Sequence, residues 1–238
     1  MFPLIEPLIL YFVLFFPGTF NPDISTAAFT VNSIPFSAFR EASRTLAYTI
    51  PALSLIWYLI LDKKSLSPPG GGRAAELSVR LALRVRRRDF FPFLAGFPCL
   101  VLFGVVISLL NSLVAKTAGM PTVEPPGNAA GWIIMAVSCL GTGYLEESYF
   151  RFYLLEKLPQ MGFGSGMFGI SFNDRRLTIA FSSILFALCH VYEGPWGIAN
   201  ATLAGVFLSI LYQKYRSLHG IAWAHGAYNA FVYVMGLF

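Results

Sequence analysis

Charge is scarce in this chain. Of 238 residues, only 12% are Asp, Glu, Lys or Arg, about half the usual share for a soluble domain. The hydrophobic share is 56% and the mean hydropathy +0.63. A water-soluble globule of this size has too much surface to cover with so few charges. Ordinary soluble folds and disordered chains are therefore excluded. Cysteine is scarce too: Cys99, Cys139 and Cys189 lie far apart in apolar runs. That excludes a disulfide scaffold, and with no CxxC spacing they read as small buried hydrophobes. There is no HExxH and no intramembrane Asp pair. No internal repeat is visible, so a duplicated transporter gains little support. The first 17 residues lack a basic n-region and carry Glu6, so no removable signal peptide is expected.

Long apolar runs are what the chain does have. They predict an all-α polytopic membrane protein, a bundle of about 7–8 transmembrane helices at about 20 residues each, forming one transmembrane domain over residues 1–238. The predicted spans are Leu4–Phe16, Leu46–Leu61, Phe90–Ala115, Ala129–Leu155, Leu177–Tyr192, Trp196–Tyr215 and Gly220–Phe238. Ala129–Leu155 reads as helical throughout. Asn21–Phe39 is an eighth span, an interfacial helix or a loop. Ala74–Arg88 has Leu77, Leu81 and Val85 at spacing four, the pattern of a basic amphipathic helix on the membrane surface.

The net charge is +5, but its placement matters more than its sum. Eight of the 17 basic residues fall between Lys63 and Arg88. This stretch orients the bundle and is not a nucleic-acid surface. With loop 62–89 in the cytoplasm, the other loops alternate in agreement with the positive-inside rule, and the C-terminus lies on the opposite side. Short loops and the missing leader point to a prokaryotic plasma membrane. The chain then divides into N-terminal spans over 1–128 and a core over 129–238.

Ionisable groups inside spans are expensive and mark functional sites by default. Three clusters qualify: Glu146-Glu147-x-x-x-Arg151, Phe186-x-x-x-His190 and His225-x-x-x-Asn229. Glu147 and Arg151 share a helical face and can neutralise each other. Glu146 is rotated by about 100° from Glu147, which leaves a carboxyl with no local cation, suited to general acid–base work. The blander reading has both glutamates bracing the bundle through Arg151. His225 and Asn229 also share a face and can hold a water or an oxyanion, or form a polar interhelical clamp. His190 alone reads as a core histidine bonded to Glu193, and His219 as an interfacial loop residue. Counted from the predicted cytoplasmic helix ends, Glu146, His190, His225 and Asn229 fall in overlapping layers in the cytoplasmic half of the membrane. One cavity open to the cytoplasm is expected. A Glu–His pair can activate a water for attack on a carbonyl, with His–Asn holding the oxyanion. Zinc held by the two His and the Glu residues ranks second, because Asn is a poor zinc ligand. A non-catalytic membrane scaffold and a proton-coupled transporter are the readings from other classes.

Taken in order, the three motifs resemble the CPBP family of glutamic intramembrane proteases, also called CAAX-protease or Rce1-like (ABI) proteins. The resemblance covers Ala129–Phe238. It implies an intramembrane endopeptidase that cuts a membrane-anchored or lipidated protein or peptide near its C-terminus, within the lipid bilayer and without a cofactor. It implies that Glu146 and His190 activate the water, that His225 and Asn229 form the oxyanion hole, and that Glu147, Arg151 and Phe186 support the site. Bacteriocin immunity without catalysis is an alternative within the same family. Substrate, cleaved bond and oligomeric state are not written in the sequence.

Overall fold

The computed structural model describes residues 4–19, 33–61, 83–114, 122–160 and 174–235. These form helices α1 (Ile5–Thr19), α2 (Ala38–Leu61), α3 (Phe90–Val114), α4 (Ala129–Glu147), α5 (Leu154–Lys157), α6 (Arg175–Leu188), α7 (Gly194–Tyr215) and α8 (Leu218–Met235). The exception to helix is a two-residue parallel bridge, in which β1 (Ser33–Ile34) pairs with β2 (Thr122–Val123). Three helical stretches are long and apolar enough to cross a membrane: Arg87–Val114, Ala129–Lys157 and Val191–Tyr215. With these three, the protein reads as an integral membrane protein. Leu53, Trp57, Leu102, Leu109 and Ile133 are exposed on the outside of the helices, as a bilayer solvent allows.

Most expected spans have a helix under them, with shifted ends. The second span begins eight residues earlier than Leu46, at Ala38, so Glu41 and Arg44 belong to α2. The run Ala129–Leu155 is not one regular α-helix. It passes from α4 through a π-helical turn, Ser148–Tyr153, into α5. Such turns loosen the backbone ladder and concentrate at functional sites. Here the Ser182 hydroxyl donates to the Phe150 carbonyl at 2.6 Å, which satisfies an oxygen inside the turn. Helix α6 ends at Leu188, short of Tyr192. Its 14 residues make about 21 Å, less than the about 30 Å hydrocarbon core. The expectations for Asn21–Phe39 and Ala74–Arg88 fall mostly outside the described residues. Leu83 is helical, residues 84–86 are not, and a short 3-10 turn follows at Arg87–Asp89.

Local sequence sets the boundaries. The Asn128 side chain accepts from Gly131 N at 2.8 Å and starts α4. Asp174 does the same for α6 from Arg176 N at 2.8 Å. Pro195 sits in the first turn of α7, where its missing N–H is harmless. Arg216 ends that helix in the left-handed conformation, φ 50°, with its N–H on the Tyr212 carbonyl.

The core centres on the π-helical turn. Tyr149, Phe150, Arg151, Phe152 and Tyr153 are all fully buried. Phe15 of α1 packs on Phe150 with ring centroids 4.8 Å apart. The Tyr149 hydroxyl donates to the Pro7 carbonyl at 2.6 Å, and Tyr153 donates to Glu6 at 2.8 Å. Glu6 is thus an acceptor shared with Tyr58 (2.9 Å) and ion-paired to Lys157 (3.7 Å). Cys139 and Cys189 are buried, and all three cysteines are free.

Candidate active site

The site forms where α4 and α8 touch. Two glycines permit that approach. A Cβ on Gly143 would stand 2.8 Å from the Ala222 carbonyl oxygen, and one on Gly226 would stand 2.8 Å from Leu140 Cα. With no side chain at either position, the backbones close and the polar groups of the two helices meet.

Glu147 is fully buried and serves two partners. Its Oε1 accepts from Arg151 Nη1 at 3.0 Å, the spacing-of-four pair expected from the sequence. The same oxygen lies 2.7 Å from His225 Nδ1. Arg151 is fully buried as well. It lies over the Phe186 ring at 4.3 Å, and its Nη2 reaches the Gly205 carbonyl at 3.4 Å. A guanidinium with no water contact needs this combination of carboxylate, carbonyl and aromatic face. Phe186 is the floor on which the charged cluster rests.

Glu146 points to the other side of the same imidazole. Its Oε2 stands 3.3 Å from His225 Nε2 and, among the described residues, has no hydrogen-bond partner. The Glu146 side chain keeps 14% of its surface accessible, against none for Glu147. The two adjacent glutamates are therefore unlike. Glu147 is fully buried, with Oε1 bonded twice and Oε2 unpartnered among the described residues, whereas Glu146 keeps part of its surface accessible.

His190 lies outside the helix expected to carry it, in the turn between α6 and α7. Its Nδ1 is 2.8 Å from the Phe186 carbonyl oxygen. A carbonyl only accepts, so Nδ1 carries a proton, and in the neutral ring Nε2 presents a lone pair. The expected partner Glu193 is not the one it uses. The Phe186 ring lies between the two histidines, 4.7 Å from His190 and 5.7 Å from His225 by ring centroids. Asn229 follows His225 by one turn of α8 and is half-buried. Among the described residues, no hydrogen bond joins it to Glu146, His190 or His225. The structure thus brings Glu146, Glu147, Arg151, Phe186 and His225 into direct contact, with His190 against them across Phe186.

Sequence reasoning missed two features. His219 is not in a loop. Its ring nitrogens reach Tyr144 Oη at 2.8 Å and the Leu83 carbonyl at 2.7 Å, so it ties α4 and α8 to the chain before α3. The second is a buried carboxylate, Glu41, which accepts from Ser138 Oγ at 2.9 Å beside Arg40 and Arg44. The Glu41-x-x-Arg44 spacing was the available signal, hidden because the span was started at Leu46.

Among the described residues, no three His, Cys, Asp or Glu side chains are grouped so as to hold a metal ion. Both His225 nitrogens are turned to carboxylates.

No curated protein and no solved structure matches the chain. A family model does match: residues 128–231, the segment that carries all three motifs, are similar to the family described as Type II CAAX prenyl endopeptidase Rce1-like.

Proposed function

We propose that the protein is an intramembrane endopeptidase of the glutamic type. It hydrolyses a peptide bond near the C-terminus of a membrane-anchored, prenylated or otherwise lipidated substrate. The observation that carries the reading is the pair of unlike glutamates on one imidazole: Glu147 fully buried and paired with Arg151 and His225, Glu146 partly accessible and, among the described residues, 3.3 Å from His225 Nε2 without a hydrogen bond. Glu146 is the general base. It takes a proton from a water that His190 Nε2 also binds. The hydroxide forms a bond to the scissile carbonyl carbon, and the carbonyl π pair moves to oxygen. His225, with a proton on each ring nitrogen, donates from Nε2 to that oxyanion, and the Asn229 amide donates beside it. Glu146 then returns the proton to the leaving amine as the C–N bond breaks. Glu147 fixes His225 through Nδ1, and Arg151 neutralises Glu147. No metal takes part in this scheme.

The catalytic unit is the segment 129–238, within a bundle of seven or eight transmembrane helices in a prokaryotic plasma membrane. The helix ends that carry Arg87, Lys157, Arg175 and Lys214 face the cytoplasm by the positive-inside rule. The His190 turn closes the opposite end of the α6–α7 hairpin, so the site lies deeper than a cytoplasmic cavity would place it.

The test is hydrolysis of a prenylated reporter peptide in lipid nanodiscs, in ¹⁸O-labelled water and excess chelator. One ¹⁸O in the new carboxylate, with activity retained under chelation, is the expected result. Activity lost to chelation and restored by zinc would replace the scheme with a metal-dependent one.

A further inference from the structure

Helices α4 and α8 meet along one line, where Gly143 lies against the backbone of Ala222 and Gly226. At about 100° per residue, Glu146 falls about 60° to one side of Gly143 and Tyr144 about 100° to the other. On α8, His225 and Trp223 flank Ala222 by the same two angles. The Glu146–His225 contact of 3.3 Å therefore stands on one side of the glycine line, and a second polar group stands on the other.

That second group is a chain of hydrogen bonds with one sense. Trp223 Nε1, which only donates, reaches Tyr144 Oη at 2.9 Å. Tyr144 Oη is 2.8 Å from His219 Nδ1, and His219 Nε2 is 2.7 Å from the Leu83 carbonyl oxygen. A carbonyl only accepts, so Nε2 carries a proton. In the neutral ring Nδ1 then accepts from the Tyr144 hydroxyl, and each link from Trp223 to Leu83 is satisfied. The Phe90 ring at the start of α3 packs on Trp223 with centroids 5.8 Å apart, and Arg86 Nη2 donates to the Arg216 carbonyl at 2.9 Å. The group thus joins α4, α8 and the chain that leads into α3.

We infer that Tyr144, His219 and Trp223 are positioning residues for the proposed hydrolysis: their hydrogen bonds fix the roll of α4 on α8, and so the separation of Glu146 from His225. The inference rests on the protease reading and adds to it residues outside the three motifs. Links on opposite sides of one contact line act against each other, so slackening one changes the gap at the other. Side-chain atoms stand about 5–6 Å from a helix axis, so a roll of about 10° moves Glu146 by about 1 Å against His225. A misplacement of about 1 Å costs on the order of 10²-fold in rate. The glycine contact itself survives loss of the chain, so the fold is kept while the site is misaligned.

The experiment compares full-length variants in nanodiscs, at matched folded concentration, with the prenylated reporter. Tyr144→Phe removes the hydroxyl that joins two links, and Trp223→Phe removes one donor. Tyr212→Phe is the control: its hydroxyl is also bonded, to Glu156 at 3.0 Å, but away from the glycine line. For Tyr144→Phe, kcat is expected to fall about 10- to 100-fold with KM within about 2-fold of the parent. Trp223→Phe falls less, and Tyr212→Phe keeps the parent kcat. His219→Gln, which retains a donor and an acceptor, is expected to keep more activity than His219→Leu. An equal fall in Tyr144→Phe and Tyr212→Phe, or an unchanged kcat in Tyr144→Phe, overturns the inference. The second readout needs no turnover. The chain has three histidines, so ¹⁵N-histidine labelling resolves each ring by NMR. Tyr144→Phe is expected to shift the ring nitrogens of His225 as well as those of His219. Should Tyr144→Phe fail to fold, Trp223→Phe carries both readouts. His225 resonances unmoved by the substitution overturn the inference even where activity falls. Cleavage that does not depend on Glu146 sinks the protease reading instead, and the His225 spectrum then decides on the positioning by itself.

Discussion

Arg151 is fully buried and held by one carboxylate, one carbonyl and two aromatic rings, Phe186 and Phe150. Removing one partner of a buried ion pair strands the other, at a cost of about 3–5 kcal/mol. Arg151→Met is therefore expected to lower stability by that order, measured by thermal unfolding in detergent. Glu146→Gln should leave it close to the parent, since Glu146 is partly accessible and, among the described residues, makes no hydrogen bond. Equal effects of the two substitutions would contradict the division into a structural and a reactive glutamate. Much of this was legible in the sequence, because a spacing of four on a helix brings Glu147 to Arg151 whatever surrounds them. The bond from Glu147 to His225 was not, since it spans 78 positions and depends on how far each helix is rotated. The tautomer of His190 was hidden for a related reason: it requires the helix to stop at Leu188 so that the ring folds back on the Phe186 carbonyl.

Helices α4 and α8 hold the site only because they pack nearly backbone to backbone. A methyl group at Gly226 would meet Leu140 Cα, whereas one at Gly127 would meet nothing within 4 Å. Gly226→Ala is expected to separate the helices, cost about 1–3 kcal/mol through overpacking and reduce cleavage sharply. Gly127→Ala should be silent in both assays. An activity for Gly226→Ala equal to that of Gly127→Ala would mean the close approach is not what positions Glu146 against His225. The apolar runs predicted where most helices lie, because lipid-facing surface needs hydrophobic residues along the whole span. They did not predict the π-helical turn at Ser148–Tyr153, whose residues have ordinary helical character. One carbonyl of that turn, Phe150, is satisfied by a hydroxyl donated from Ser182 in another helix.

The two halves of the chain are interlocked. Helix α1 supplies Tyr11 and Phe15 to the core around the π-helical turn and Glu6 to Tyr58 and Tyr153. Helix α2 brings Glu41 against Ser138. The N-terminal helices, outside the segment similar to the Rce1-like family, therefore brace the motif-bearing core. The scarcity of charge made the three motifs readable, yet it concealed Glu41 and Glu6, whose partners come from distant helices. The proposed orientation rests on the basic residues at one end of the bundle. In intact cells, a membrane-impermeant thiol reagent should label Ala130→Cys and spare Arg88→Cys, both exposed positions. The reverse pattern would invert the topology.

The central claim is that Glu146 is the base that activates water. It is tested by single-turnover cleavage of a prenylated reporter in nanodiscs by the parent protein and by Glu146→Gln, at matched folded concentration. A rate lower by about 10²–10⁴ for Glu146→Gln, the range for loss of a general base, with unfolding temperature unchanged, is the predicted result. Cleavage by Glu146→Gln at the parent rate would contradict it.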